Sequence, residues 1–184
     1  NGADAARLVT AAQQVFGSTT EDLGKQLSSL AVFADSSATN VTEIGTAFLR
    51  SASSAEAAGL TIEQSFALLA GTLEQTRLNA STVGTAFKTI LARLGRDKGE
   101  VADLANGFLN LTDGQEGFID SSGSVSDVIT NLAKNFGKLN ADQKNLVALQ
   151  VAGVRQANVF IGLLNNFDKT QRLLNNSQQD SLAL

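Results

Sequence analysis

NVTEIGTAFLRSASSAEAAGLTIEQSFALLAGTLEQTRLNASTVGTAFKTILARL (residues 40–94) decides the fold. Its apolar residues recur at three- and four-residue steps: Ile44, Phe48 and Leu49, then Ile62, Phe66, Leu69 and Leu73. That is the period of a helix with one greasy face, and strand-like alternation is missing. The spacing predicts a helix over 41–57 that stops at Gly59. Thr61 to Gln64 reads T-x-x-Q, a capping box that opens a second helix. After the turn "RLNAS" a third runs over 82–94 and is expected to end at Gly95.

The same punctuation continues in both directions. Upstream, helices are expected over 4–15, ended by Gly17 and Ser18, and from a cap at Thr20 to about residue 34. Downstream, a weaker helix covers about 99–109. The stretch "LTDGQEGFIDSSGS" is irregular around Phe118 and Ile119 and is the best place for a short extended segment. Ser124 or Ser126 caps a helix to Phe136, and Asn140 caps the next. The remainder to about residue 178 is helical, with breaks expected near Asn165 and Asn175. The fold class is therefore all-α, a compact array of eight to nine short amphipathic helices. It divides into an N-terminal helical part (1–110), an irregular loop (111–124) and a C-terminal helical part (125–184), one continuous helical module.

Composition narrows the chemistry. The 184 residues are 43% hydrophobic and 17% charged, the reverse of a disordered chain, so a core is expected. With no Cys and no His, the usual nitrogen/sulfur zinc sites and the Cys–His or Ser–His–Asp nucleophiles cannot be built. Neither a cofactor nor a metal site is expected. Disulfides are excluded too, so packing must supply the stability. Fourteen basic against eighteen acidic residues leave a net charge of −4, a poor balance for neutralising phosphates, and specific nucleic-acid binding is not expected. No signal peptide is visible, and no unbroken apolar run approaches the roughly 18–20 residues of a membrane span. The absence of Met and a start already in helical pattern suggest a piece of a longer protein.

A short pattern recurs as Leu23-Gly24-x-x-Leu27, Ile44-Gly45-x-x-Phe48 and Val83-Gly84-x-x-Phe87. Glycine inside a helix costs about 1 kcal/mol relative to alanine, so Gly24, Gly45 and Gly84 are candidates for close helix crossings. Chance repetition in an Ala- and Gly-rich helical chain is the plainer alternative. Four N-x-S/T sequons, at Asn40, Asn79, Asn110 and Asn175, sit at expected helix ends and read better as caps. "DSSGS" (120–124) fails as an EF-hand loop, because Gly123 stands fourth rather than sixth and no Glu follows at the twelfth position. Carboxylate pairs such as Glu21/Asp22 and Glu116/Asp120 serve helix starts and solvated loops more naturally than acid–base catalysis, and no enzymatic activity is expected.

In "AGVRQANVFIGLLNNFD" (152–168), one arginine stands in a segment otherwise free of charge until Asp168. At about 100° per residue, Arg155, Asn158, Gly162, Asn165 and Asn166 share one narrow stripe, and apolar residues fill the rest. The stripe is either the wet edge of a largely buried helix or holds Arg155 partly buried. In the second case its guanidinium needs an acidic partner, and Glu116 or Asp120 from the irregular loop is the candidate.

Taken in order, these segments resemble a known family. Residues 40–94 are similar to the recurring region of phage tail tape measure proteins: a helix, a "GLTIE"-like turn, an Ala-rich helix, then a "GTAFKTILARL"-like helix. "AGVRQANVFIGLLNNFD" resembles the "AG-x-RQ…LL-NN" segment that follows, and this marks Gly153, Arg155, Gln156, Asn158, Asn165 and Asn166. The resemblance covers about residues 20–170. It implies a structural virion protein without enzymatic chemistry here, occupying the tail lumen and found in the host cell during assembly. Such proteins set tail length and leave ahead of the DNA at ejection. The implied partners are further copies of itself, tail tube or tail-tip proteins and tail assembly chaperones. A helix rises 1.5 Å per residue, so an extended helical chain can act as a ruler. The glycine breaks and Phe-rich faces here suit a folded module of such a protein instead. A helical membrane-active or protein-interaction module, channel-forming or toxin-like, is the alternative. The sparse basic residues on its polar faces speak against a membrane surface.

Overall fold

The computed structural model describes residues 2–182, with side-chain burial through residue 177. Among these residues there are eight helices and no strand: α1 Gly2–Phe16, α2 Thr20–Ser36, α3 Val41–Ala57, α4 Ile62–Thr76, α5 Ala80–Leu109, α6 Val125–Phe136, α7 Ala141–Asn165 and α8 Phe167–Leu182. The fold is the all-α array that the spacing predicts.

α4 is the axis. Every residue from Ser65 to Leu73 is buried, as expected of a helix apolar on all sides. Its two buried hydroxyls stay satisfied within the helix: Ser65 Oγ donates to the Thr61 carbonyl at 2.8 Å and Thr72 Oγ1 to the Leu68 carbonyl at 2.7 Å. α2, α3, α5, α7 and α8 surround it, while α1 lies outside against α3 and α6 lies against α5 and α7. The ring of Phe48 on α3 links the layers. It meets Phe66 of α4 edge-on at 4.8 Å and Phe16 of α1 in a stack at 5.8 Å.

Local chemistry sets the boundaries. Capping boxes at Thr19/Asp22, Asn40/Glu43, Thr61/Gln64, Ser124/Asp127 and Asn140/Gln143 each satisfy two backbone groups that a helix start would leave open. The cap of α2 is thus Thr19 and not Thr20, because Asp22 at N3 returns a hydrogen bond to the Thr19 amide. Gly59 ends α3 with φ +78°, a conformation glycine adopts freely. Gly95 does not end α5: the helix runs on to Leu109 and bends at Asp97 (φ −115°, ψ 17°). Nor does Asn175 break α8, so its sequon lies inside a helix rather than at an end. Asn40 and Asn79 are N-caps, and Asn110 closes α5 in the left-handed conformation.

The loop before α6 contains no extended pairing. It is held by asparagines. Asn106, buried in α5, donates through Nδ2 to the Ile119 carbonyl at 3.0 Å and accepts from the Ile119 amide at 2.9 Å. The side chain thereby imitates a strand partner and lets Ile119 enter the core. Asn135 of α6 donates to the Gly117 carbonyl at 2.9 Å, and Lys98 Nζ to that of Gly123.

Candidate functional site

The segment singled out in the sequence, residues 153–166, runs through a break in α7 and back onto α4. Gly153 has φ +70° and ψ 172°, far from helical values, and the helix resumes at once. The break redirects everything after it, so a single helical projection across it fails. Val154 becomes the most exposed large apolar residue among the described residues, at 86%. Arg155 is exposed as well, and its guanidinium pairs with neither Glu116 nor Asp120. Asp120 is engaged inside its own loop: it accepts from the Ser122 amide at 2.8 Å and the Ser122 hydroxyl at 2.7 Å. Those hydrogen bonds hold its carboxyl below the ordinary value. Glu116 is exposed on the same loop. The proposed partnership with Arg155 is absent, and Arg155 lies on the wet edge.

Beyond Arg155 the stripe divides: Asn158 and Asn165 are exposed and Gly162 is buried, while Gln156, marked only by the family resemblance, is half-buried. A Cβ on Gly162 would stand 2.8 Å from Thr76 Cγ2, which shows how closely α7 approaches the end of α4. Asn166, at the turn into α8, donates through Nδ2 to the Gly71 carbonyl at 2.8 Å. The next helical turn adds an ion pair between Lys169 Nζ and Glu74 Oε1 at 2.7 Å. Both contacts tie the α7–α8 corner to α4. Neither Gly71 nor the Lys169–Glu74 pair stood out in the sequence. The only signals were a glycine in an apolar helix, one charge near its end and another on α8.

Asn158, Ile161 and Asn165 face Gln75 and Leu78 across an open cleft of about 310 Å³ at the C-terminal end of α4. A second cleft, about 160 Å³ and mostly apolar, lies between α1, α2 and α3, lined by Leu8, Leu27, Leu30, Val41 and Leu49. Leu27, Val41, Leu78, Leu146 and Leu149 are each at least two-fifths exposed, the last two one turn apart on α7. Apolar side chains left in water at helical spacing favour contact with another surface. No group of three His, Cys, Asp or Glu residues that could hold a metal ion occurs among the described residues.

The glycine pattern is equally divided. A Cβ on Gly84 would stand 2.5 Å from the Ala47 carbonyl oxygen and 2.8 Å from its Cα, so α5 and α3 meet backbone to backbone. At Gly45 it would meet only the Leu8 side chain, at 3.0 Å, and at Gly24 nothing within 4 Å. Gly24 therefore sits at no crossing. α2 turns that position to solvent, and the five-residue pattern alone cannot tell which face a partner covers.

One expectation about membranes changes. α7, 25 residues, is long and apolar enough to cross a membrane by length and composition, although no uninterrupted apolar run was seen. Of the three charges in it, Asp142 and Lys144 lie in the first turn, which leaves Arg155 alone in the apolar stretch that follows. In the fold, ten of its residues are buried and Gly153 interrupts it.

An all-helical body with exposed apolar side chains and shallow clefts has the architecture of a structural or docking module. Residues 1–153 match the phage-related minor tail protein family, and the chain belongs to that family. It is a structural protein of the bacteriophage tail, placed with the other tail components in the virion. No solved structure matches it.

Proposed function

We propose that this chain is a folded module of a tail tape measure protein. It lies in the tail lumen, takes part in assembly and length determination, and is released during DNA ejection. The observation that carries the reading is the match of residues 1–153 to a minor tail family, joined to the tape-measure-like order of motifs over residues 20–170. The fold supports the distinction between ruler and module. With α4 enclosed by five helices, the chain is folded back on itself rather than drawn out at 1.5 Å per residue. Its partners are further copies of the chain, tail tube or tail-tip proteins and tail assembly chaperones. The exposed residues Leu27, Val41, Leu78, Leu146 and Leu149 are where they would touch. Net charge −4 suits a lumen occupant that must not hold passing DNA.

The test compares intact virions with virions triggered to eject. Mass spectrometry should find the chain protected from added protease before ejection and lost from the particle afterwards. Protease access in intact virions, or full retention after ejection, would rule out the lumen placement.

A second reading, a membrane-active helical module, is favoured by one observation, the length and apolar composition of α7. Dye release from liposomes separates the two. Strong leakage by the chain favours the second reading, and silence favours the first.

A further inference from the structure

Residues 98–152 leave and re-enter the rest of the molecule at two adjoining breaks in otherwise continuous helices. α5 bends at Asp97, where φ is −115° and ψ is 17°, and α7 breaks at Gly153, where φ is +70° and ψ is 172°. The breaks are neighbours in space: Arg93, one turn before Asp97, places Nη1 2.8 Å from where a Cβ on Gly153 would stand. Just beyond them Gln150 Nε2 donates to Glu100 Oε2 at 3.0 Å, binding the two helices on the far side of the line.

Between the breaks, the second half of α5, α6 and the first half of α7 form a three-helix unit. The chief helix partners of α6 are α5 and α7, and the unit buries Val101, Val128, Leu132, Val147 and Val151. The direct packing of α6 on α4 and α8 is slight by comparison. The Ser126 amide donates to the Ala58 carbonyl at 3.2 Å, and Ser124 Cβ lies 3.3 Å from a Cβ placed on Gly59. A gap of about 20 Å³ remains there, lined by Leu60, Leu68, Ile129, Phe167 and Leu174.

We propose that residues 98–152 are a hinged cap that swings about the Asp97–Gly153 line, uncovering the apolar seam between α6 and α4. Gly153 is the pivot. Its present φ and ψ lie in a region that only glycine occupies without strain, and glycine is also free to take helical values. The helical φ and ψ are interrupted at this one residue, which lowers the cost of moving there. The opened cap would present Leu60, Leu68, Ile129 and Phe167, all buried when it is shut. The device thus gates an apolar surface.

The chain has no cysteine, so introduced pairs can be spin-labelled cleanly. Pulsed distance measurements on Arg50→Cys/Lys134→Cys span the hinge, and Lys25→Cys/Arg50→Cys reports on the main body alone. The expected result is a cross-hinge distribution at least twice as wide as the reference, or with a second peak. Gly153→Ala, which disfavours the positive φ, should shift it towards one population. A cross-hinge distribution as narrow as the reference overturns the hinge, and a wide one that Gly153→Ala leaves in place overturns the pivot. Should that variant not fold, hydrogen exchange in the unaltered chain decides. Amides of 154–157 exchanging as slowly as those in the middle of α4 overturn the pivot; exchange at least a hundredfold faster supports it.

Discussion

At Gly84 the α5 backbone lies so near α3 that a Cβ would stand 2.5 Å from the carbonyl oxygen of Ala47, whereas at Gly24 a Cβ would meet nothing within 4 Å. Both glycines occupy the second place of the same pattern, and both sit inside helices with good capping. The difference lies in the partner. α5 has α3 along its first half, and Val83, Ala86 and Phe87 around Gly84 are all buried. α2 turns Gly24 to water beside exposed Lys25. A helical glycine is a structural necessity only where a neighbouring helix occupies the space its side chain would need. Elsewhere it is a loss of helix stability that nothing recovers.

Gly84→Ala should break this contrast most forcefully if it is wrong. The methyl group would collide with main-chain atoms, which cannot rotate away as a side chain can. Overpacking of this kind costs about 1–3 kcal/mol, and the backbone obstacle puts the expectation in the upper part of that range, even after the helix gain of alanine. Chemical denaturation of the purified chain measures it. A variant as stable as the parent would mean that the crossing is looser than it looks.

Gly71→Ala sharpens the point, because Gly71 belongs to no repeated pattern. A Cβ there would stand 2.7 Å from Thr170 Oγ1 and 2.9 Å from Asn166 Nδ2, both side-chain atoms at the corner of α7 and α8. Asn166 would have to release the Gly71 carbonyl, to which it donates at 2.8 Å. A lost hydrogen bond of this type is worth about 1 kcal/mol, and the expected destabilisation is about 1–2 kcal/mol. Faster hydrogen exchange should follow at the α7–α8 corner and not at α1. An undisturbed corner would show that Asn166 does not anchor it.

What the sequence made legible follows the same division. Helix positions were readable because capping chemistry is local: Asn40, Thr61, Ser124 and Asn140 announce their helices within four residues. The bend at Asp97 was not, since Gly95 carries the stronger local signal while the backbone turns two residues further on. The same limit applies to Arg155. A helical projection assumes a straight axis, and Gly153, whose glycine was visible but whose φ of +70° was not, turns the axis just before it. Asn106 escaped notice altogether, because a buried asparagine that replaces a strand partner looks like any polar residue in an amphipathic helix.

Gly24→Ala tests the open side of the contrast and carries the opposite sign. With no contact to lose, the substitution should stabilise the chain by about 0.5–1 kcal/mol through helix propensity alone. Loss of stability on thermal or chemical unfolding would mean that α2 has a covering partner at that position in solution, and mass measurement of the variant and parent would then reveal the assembly.

Gly45→Ala falls between the two and has the smallest expected effect. Its Cβ would lie 3.0 Å from Leu8 Cδ1, tight but against the far end of a side chain, and α1 packs chiefly on α3 at the edge of the molecule. The apolar cleft beside Leu8, about 160 Å³, gives that side chain somewhere to move. Relief by a rotamer change of Leu8 should roughly cancel the gain in helix propensity, leaving stability within about 0.5 kcal/mol of the parent. A loss approaching that of Gly84→Ala would place α1 in the rigid core alongside α3 and α5. A gain equal to that of Gly24→Ala would show instead that α1 already stands away from α3 in solution.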